Sequence, residues 1–578
     1  MDPKKIRIAE HIQVTWLPRG FAPAVCPNCG TAAPALQYLE IDYRPPDAVH
    51  KFVLQVCRNC TARFVDNTHT MDYGTNELIE LGWDTYQIQL GAGAWSIAWP
   101  LTRIEKPAGA KALEIGGAYG FGLDFCIRGR GWQGLGYDPS PLALFGAREL
   151  GLDIRQEYFG EADLRAGPWD VVIATEVVEH LDHPPEFFKL MRQALAPDGL
   201  LVLTTPDADW ITPELSAGEL MPLLSPGAHL VVQTKASLEH ALVAAGFAHV
   251  DVRRDVKTLV AFASAAPFAL NENDAAARVM YRHYLVERGR ISPAGSDALL
   301  GFAGRGLFEA ANDADFAEAE AAWEIVQTAT RERFGLDLST LTELPAGVEG
   351  ASLSELARLI PLGLGMICFG RAMQMLGTGA GRAAVLPVLR LAAAGVRALQ
   401  AALAQRSLTD QLSASIGLVV EMEILLSLAE LGDEAGIDRL AATGDLARGW
   451  QAFVTLVNDG KFEKARRLKA AMRLDMPAPP YDAAARNALF AVGVLALQNK
   501  SEARRSVAVF ARLRNELVKL TPKGRVPDAI FWPALRGEVM GLLRLRRAEE
   551  AMLLLRTFQE EYPGIPDDLI EVLAGMKK

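Results

Sequence analysis

The chain predicts an α/β nucleotide-binding unit set between a small cysteine-rich module and an all-α C-terminal half. Three observations carry this. Apolar strand-like runs alternate with helical segments between about residues 107 and 268, and a glycine-rich turn follows the first run. Two Cys-x-x-Cys pairs stand ahead of that stretch. Beyond residue 270 the alternation gives way to Ala, Leu, Glu and Arg at helical spacing, broken by short Gly, Pro or Asp turns. A chain of 578 residues is too long for one core and fits about three or four domains. The expected division is 1–80, 81–106 as a linker or lid, 107–268 and 269–578.

The first strand of the α/β unit reads Lys111-Ala-Leu-Glu-Ile115 and runs into Gly116-Gly-Ala-Tyr-Gly120-Phe-Gly122. Glycines there let the backbone turn tightly and approach a ligand. A second strand, Trp132 to Tyr137, ends at Asp138, whose carboxylate can accept hydrogen bonds from ribose hydroxyls. A third, Asp170 to Thr175, leads into Glu176-Val-Val-Glu-His180, and a fourth is Gly199 to Thr204. Thr234 to Ala245 is a helix stopped by Gly246. Two more strand-like runs, Phe247–Val252 and Thr258–Phe262, have no helix between them. They predict an antiparallel hairpin at the edge of a parallel sheet, unlike a plain dinucleotide fold.

Cys26-Pro-Asn-Cys29 and Cys57-Arg-Asn-Cys60 are separated by 27 residues. Four thiolates with no open position fit one tetrahedral structural Zn2+, which would replace a core that so short a segment can scarcely build. Cys126 and Cys368 stand singly in apolar surroundings and read as core residues. Paired cysteines at metal spacing, with no apolar leader after Met1-Asp-Pro-Lys-Lys, are expected of a cytoplasmic protein. The longest uncharged run, Leu359 to Gly370, is too short to cross a bilayer, so no membrane span is expected. The net charge of −11 argues against nucleic-acid binding. Lys51, Arg58 and Arg63 form only a thin basic cluster.

By spacing alone the glycine turn and Asp138 are compatible with NAD. The motifs LEIGGAYGFG at 113–122, GYDPS at 136–140, WDVVIATEVVEHLDHP at 169–184, LAPDGLLVLTTPD at 195–207 and GAHLVVQTKASLEHALVAAGF at 227–247 tilt the choice. Together they resemble class I S-adenosylmethionine-dependent methyltransferases, which have a Rossmann-like fold. The resemblance implies that Glu114, Gly116, Gly117, Ala118 and Gly120 line the turn at the methionine end of the cofactor. It also implies that Asp138 binds the ribose and that Glu176 lies beneath the substrate pocket. Asp163, with Glu161 as its rival, is expected near adenine. Ala118 replaces the motif's second glycine, where a positive φ would be disfavoured. The cysteine module is similar to the zinc-binding leader of some bacterial sugar and natural-product methyltransferases. The helical C-terminal half departs from the additional α/β domain of the deoxysugar C-methyltransferases.

That resemblance implies in-line methyl transfer, most readily to an oxygen of a glycan, sugar or other small-molecule acceptor. Protein or RNA methylation, or a noncatalytic scaffold, are the rival functions. The sulfonium is already a good leaving group, so no catalytic metal is expected; a hydroxyl acceptor would benefit from a base. His180 and His229 are the candidates, with a loop-ordering role as the alternative reading of His180. His183 is expected to face solvent, and Glu179 to cap or salt-bridge nearby. Tyr73, Trp83, Tyr86, Trp95 and Trp99 read as core packing or as a lid.

In the C-terminal half, helix pairs are expected near Ile416–Leu440, Trp450–Met472, Ala483–Leu520 and Pro533–Tyr562, with second helices starting near Ala435, Ala465, Ala503 and Ala551. A degenerate TPR-like array and an ordinary bundle both fit. Either offers a surface for a protein partner or self-association. Residues 501–550 hold eleven Lys or Arg against six Asp or Glu, and Arg504, Arg505, Arg512 and Arg514 read as a solvated face or as an anion-binding patch.

Overall fold

A computed structural model describes residues 5–9, 12–44, 50–65, 83, 92–406, 408–441, 446–474, 476–477, 481–521, 523–525 and 527–575. The chain forms two compact units. One comprises 1–310 with 317–336, the other 311–316 with 337–578.

The first unit holds two sheets. The N-terminal sheet is an antiparallel meander of β1 (Lys5–Ala9), β2 (Ile12–Val25), β3 (Ala32–Tyr43), β4 (His50–Val56) and β5 (Arg63–Val65). The second sheet contains β6 (Lys111–Ile115), β7 (Gln133–Tyr137), β8 (Ile154–Arg155), β9 (Trp169–Thr175) and β10 (Leu195–Pro206). β11 (Val231–Val232) leaves this succession and joins the N-terminal sheet beside β5; β12 (His249–Asp255) and β13 (Thr258–Ser264) complete the second sheet. Its order is β12-β13-β10-β9-β6-β7-β8, with β8 through β10 parallel and β13 antiparallel to both neighbours. The α/β sheet with its late edge hairpin is therefore as the sequence predicts.

Both faces of this sheet are buried, which explains why its strands read as apolar runs without clean alternation. Val171 and Ile173 face one core with Phe121, Phe125 and Tyr284. Val172 and Ala174 face the other with Phe188, Met191 and Leu238. The chain winds outward from β6 to β8, then returns to lay β9 on the far side of β6. Ligands bind at such a reversal, beyond the carboxyl ends of the strands.

The N-terminal module has more of a core than its length suggests. Val14, Leu39, Ile41 and Phe52 of its sheet pack with Leu220, Leu223 and Leu224 of the helix Ala217–Leu224. The apolar face is completed by a segment remote in sequence, so metal is not the module's sole substitute for a core.

Trp83 is buried against Tyr119, Phe121 and Phe145, Trp95 packs on Tyr281, and Trp99 lies under Arg103. These aromatics serve packing; Tyr73 and Tyr86 lie outside the described residues.

The second unit is all helical. Helix pairs occur at Gln411–Leu431 with Glu434–Ala441, Leu446–Asn458 with Phe462–Ala471, Ala483–Leu497 with Ala503–Leu520, and Phe531–Arg544 with Ala548–Glu561. The first helix of each pair packs on the first helix of the next. Ala465, Ala503 and Ala551 are buried at the starts of second helices. Ala435 is exposed instead, and Gly436, against Leu428, takes the buried place. Arg382–Ala404 and Gln411–Leu431 are long and apolar enough to cross a membrane, which a search for uninterrupted uncharged runs overlooks. Half of each apolar window is buried within the protein. Arg382 also bonds Glu423, and Arg448 pairs with Glu421. Of the arginines weighed as a solvated face or an anion-binding patch, Arg514 pairs with the buried Glu538, Arg505 with Glu502, and Arg512 lies over Tyr481.

Candidate active site

The turn after β6 is built by close approach. A Cβ on Gly116 would stand 2.6 Å from Val177 Cγ2, and one on Gly117 would stand 2.2 Å from Glu114 Oε2. The segment following β9 thus lies against the turn from one side, and the Glu114 carboxyl supports it from another. Glu114 is buried, and burial raises its pKa to about 7. Ala118 adopts the left-handed φ of 49° that the sequence reading marked as unfavourable. Its backbone N–H donates to Asp138 Oδ2 at 2.8 Å, which helps hold the conformation. Gly120, at φ 84°, leads into the helix Phe121–Asp124.

Asp138 ends β7 facing this turn. Its Oδ1 accepts the backbone N–H and hydroxyl of Ser140 at 2.8 and 2.5 Å. Ser140 escaped sequence reasoning, although a hydroxyl two residues after an acid is a local signal for such a bond. Asp163 Oδ2 accepts the Gly160 N–H at 3.0 Å, and its Oδ1 accepts the Tyr137 hydroxyl at 3.2 Å. Glu161 is exposed. The structure brings Glu114, Gly116, Gly117, Ala118, Gly120 and Asp138 into one turn-and-acid cradle. Asp163 connects to it through Tyr137.

Glu176 follows β9 with φ 53°. Its Oε1 accepts the Thr204 hydroxyl at 2.8 Å. It is solvent-accessible, yet burial among surrounding protein raises its pKa, a combination expected at the floor of a concave pocket.

His180 and His229 come together from different loops, their ring centroids 5.0 Å apart. Each Nδ1 donates to a backbone carbonyl: His180 to Ala228 at 3.0 Å, His229 to Leu223 at 2.9 Å. A carbonyl can only accept, so both neutral rings carry the proton on Nδ1 and the lone pair on Nε2. Burial lowers the pKa of His180 and brings that of His229 to about 4. Glu179 differs from expectation. It is fully buried, and its Oε2 accepts the Thr205 hydroxyl at 2.9 Å. Burial and neighbouring Glu176 push its pKa well up. His183 is exposed at the start of the helix Pro184–Ala194.

The four predicted cysteines converge. Cys26 and Cys60 Sγ are 3.7 Å apart, as are Cys29 and Cys57 Sγ. A tetrahedron with bonds of about 2.3 Å has edges of about 3.8 Å, so the cluster fits a four-thiolate Zn2+. Gly30 and Thr61, both left-handed, close the two cysteine turns at φ 70° and 68°. Asn28 reaches Cys60 Sγ and Asn59 reaches Cys29 Sγ, both at 3.7 Å. Each knuckle thereby supplies a donor to a sulfur of the other.

This module is fastened to the histidine loop. β5 pairs with β11, and Val65 N–H donates to Leu230 O at 3.1 Å. Leu230 N–H in turn donates to Glu179 O at 2.6 Å. Asn28 donates to Ser237 O at 3.2 Å and accepts from Gln233 at 2.8 Å; Thr61 bonds Thr234 at 2.6 Å. The cysteine turns, His229 and Glu179 belong to one hydrogen-bonded assembly.

Residues 97–252 match the family described as "Methyltransferase domain". Residues 97–252 carry a methyltransferase domain. Over 159 residues it is 31% identical to a Mycolicibacterium smegmatis protein named "Probable S-adenosylmethionine-dependent methyltransferase", covering 25% of this chain and 60% of that protein. Over 40 residues it is 50% identical to the ubiquinone biosynthesis O-methyltransferase of a Caulobacter species, covering 7% of this chain and 16% of that protein. The chain thus spans about 60% of the first relative's length and far less of the second. An S-adenosylmethionine dependent methyltransferase from Mesorhizobium loti is 18% identical at a TM-score of 0.24, over 30% of this chain and 98% of that one. An O-methyltransferase family protein from Burkholderia thailandensis is 15% identical at 0.27, over 34% and 63%.

The methyltransferase domain is also braced by residues that the motifs do not reveal. Asp124, one turn into the helix after the glycines, accepts the Tyr284 hydroxyl at 2.6 Å and Arg288 Nε at 2.9 Å. All three are buried, and Arg288 also bonds Leu150 O at 3.0 Å. The helix Asp274–Ile291 thereby holds the element that the glycine turn starts.

Proposed function

We propose that the protein transfers a methyl group from S-adenosylmethionine to an oxygen of a glycan, sugar or other small-molecule acceptor. The observation that carries this reading is the cradle in which the turn after β6 faces Asp138 while Val177, the neighbour of Glu176, lies against Gly116. Asp138 binds the ribose hydroxyls. Glu114, Gly116, Gly117, Ala118 and Gly120 flank the methionine end, Asp163 lies on the adenine side, and Glu176 sits beneath the acceptor. The stretch resembling a ubiquinone O-methyltransferase supports oxygen as the acceptor atom.

The acceptor oxygen attacks the methyl carbon in line with the departing sulfur. The new O–C bond forms as the C–S bond breaks, the sulfur keeps the electron pair, and the acceptor's proton is released. Positioning and exclusion of water supply much of the catalysis. Activation of the oxygen falls to the His180–His229 pair beyond the pocket floor. The cysteines hold structural zinc and steady the loop that carries His229. In the C-terminal unit, first helices stacked on first helices support a TPR-like array that docks a protein partner or a second copy. A cytoplasmic location and the absence of a membrane span belong to the same reading.

The test is calorimetric titration of zinc-loaded protein with S-adenosylmethionine, together with mass spectrometry of extracts from cells expressing wild type or Asp138→Ala. A small molecule gaining one methyl group only with wild type supports the proposal. Absence of cofactor binding defeats it, and methylated protein or RNA in place of a small molecule defeats the acceptor class.

A further inference from the structure

Glu179, His180 and His229 offer three ligand atoms that all lie within 4.8 Å of one another. The cluster contains an unsatisfied polar atom. Among the described residues Glu179 Oε1 is buried without a hydrogen-bond partner, while Oε2 accepts from Thr205. The orphaned oxygen lies 3.8 Å from His180 Nε2, too far for a hydrogen bond. A buried carboxyl oxygen left in this state is costly, and no group among the described residues satisfies it.

We propose that Glu179, His180 and His229 bind a divalent transition-metal cation at the acceptor side of the methyltransferase domain, distinct from the four-cysteine site. Ligand atoms bonded at about 2.1 Å to one ion stand about 3.0–3.6 Å apart at angles of about 90–120°, so atoms lying within 4.8 Å of one another must draw together by up to about 1–2 Å to close the set. The rings are prepared for ligation: both Nδ1 atoms donate to backbone carbonyls, leaving Nε2 as the ligating atom. A carbonyl behind the non-ligating nitrogen is the outer contact by which metal sites orient histidines. Two imidazoles and one carboxylate select a cation of the zinc, iron, cobalt or nickel type over magnesium or calcium, which prefer oxygen. Three protein ligands leave coordination positions open, and His180, the more accessible of the two histidines, sets their side.

The buried positions of Glu179 and His229 also suit ligation better than direct base catalysis. An acceptor hydroxyl bound at an open position loses its proton to solvent more readily, and the resulting alkoxide attacks the methyl carbon. That use of the ion rests on the methyl-transfer reading; binding of the ion does not.

The chain holding one equivalent of zinc on its four cysteines, titrated with Co2+ under visible spectroscopy, tests the site directly. About one equivalent should bind with the d–d absorption of nitrogen and oxygen ligation and without thiolate-to-cobalt charge transfer. Glu179→Gln and His229→Gln should each weaken this binding roughly tenfold or more while circular dichroism and S-adenosylmethionine affinity stay at wild-type values. Failure of wild-type protein to bind Co2+, thiolate charge-transfer bands alone, or equal binding in both folded variants overturns the proposal. Because the readout is metal binding, its failure leaves methyl transfer standing. Loss of cofactor binding alone would leave the metal site standing.

Discussion

The backbone N–H of Ala118 donates to Oδ2 of Asp138 at 2.8 Å. One carboxylate therefore shapes the glycine turn and, in the function proposed above, also binds the ribose. Asp138→Asn keeps one acceptor oxygen, for Ala118 or for Ser140 but not for both, and removes the charge, whereas Asp138→Ala removes both acceptors and the charge. We expect Asp138→Asn to weaken S-adenosylmethionine binding about 10- to 100-fold, since a hydrogen bond to a charged group contributes about 1.5–3 kcal/mol, with a smaller loss of stability than Asp138→Ala. Asp138→Ala should lose affinity and also melt earlier, because Ala118 at φ 49° loses its partner. Calorimetry and thermal melts separate the two effects; equal affinity in Asp138→Asn and wild type would refute the ribose role.

The four-cysteine cluster predicts about one tightly held zinc per chain after gentle purification, measured by elemental analysis. Cys26→Ser should release it and destabilise the N-terminal sheet. Asn28→Ala should retain zinc but loosen residues 233–237, because Asn28 bonds both Gln233 and Ser237. Hydrogen exchange at those amides reads the difference. Protein purified under reducing conditions without metal would contradict the zinc assignment.

Glu114 makes stability pH-dependent. Its carboxyl moves from an ordinary 4.5 to about 7 because burial disfavours the charge. The folded state therefore holds more protons than the unfolded state between those values, and stability falls as pH rises through them. The full cost, reached above pH 7, is about 3 kcal/mol for this completely buried group. Glu114→Gln should flatten this slope and be the more stable protein at pH 8 in cofactor-free denaturant titrations. An unchanged slope in the variant would assign the dependence elsewhere.

What the chain discloses before folding follows the range of the interactions. Val171 to Ala174 announce a buried strand because both their faces meet a core, and Gly246 stops a helix by local conformation. The Cys-x-x-Cys pairs announce a metal site because each knuckle is one tight turn. β11 escapes because two residues have no period; its pairing depends on β5, far earlier in the chain. The burial of Glu179 is equally silent, since an acid between Val178 and His180 resembles a turn residue until Leu230 and Thr205 close over it. Arg288 reads as one of many helical arginines until Asp124 is placed opposite it. Long-range polar partners of this kind carry no local pattern.

The last expectation concerns His180 and His229. Replacing either by alanine removes an Nε2 atom from the acceptor side without touching the turn after β6 or Asp138. Cofactor affinity should therefore remain near wild type while kcat falls about 10²- to 10⁴-fold, the range of an acceptor-activating group. The double variant should fall little further than either single one, because the rings, with centroids 5.0 Å apart, act on one oxygen as a unit. Single-turnover methylation of the identified acceptor, with calorimetry of the cofactor alongside, measures both quantities. If both single variants keep full turnover, acceptor activation by this pair is wrong, and positioning over Glu176 must supply the catalysis. If cofactor affinity falls in step with kcat, the histidines order the loop instead: each would then act through its carbonyl bond, to Ala228 or to Leu223, and not through Nε2.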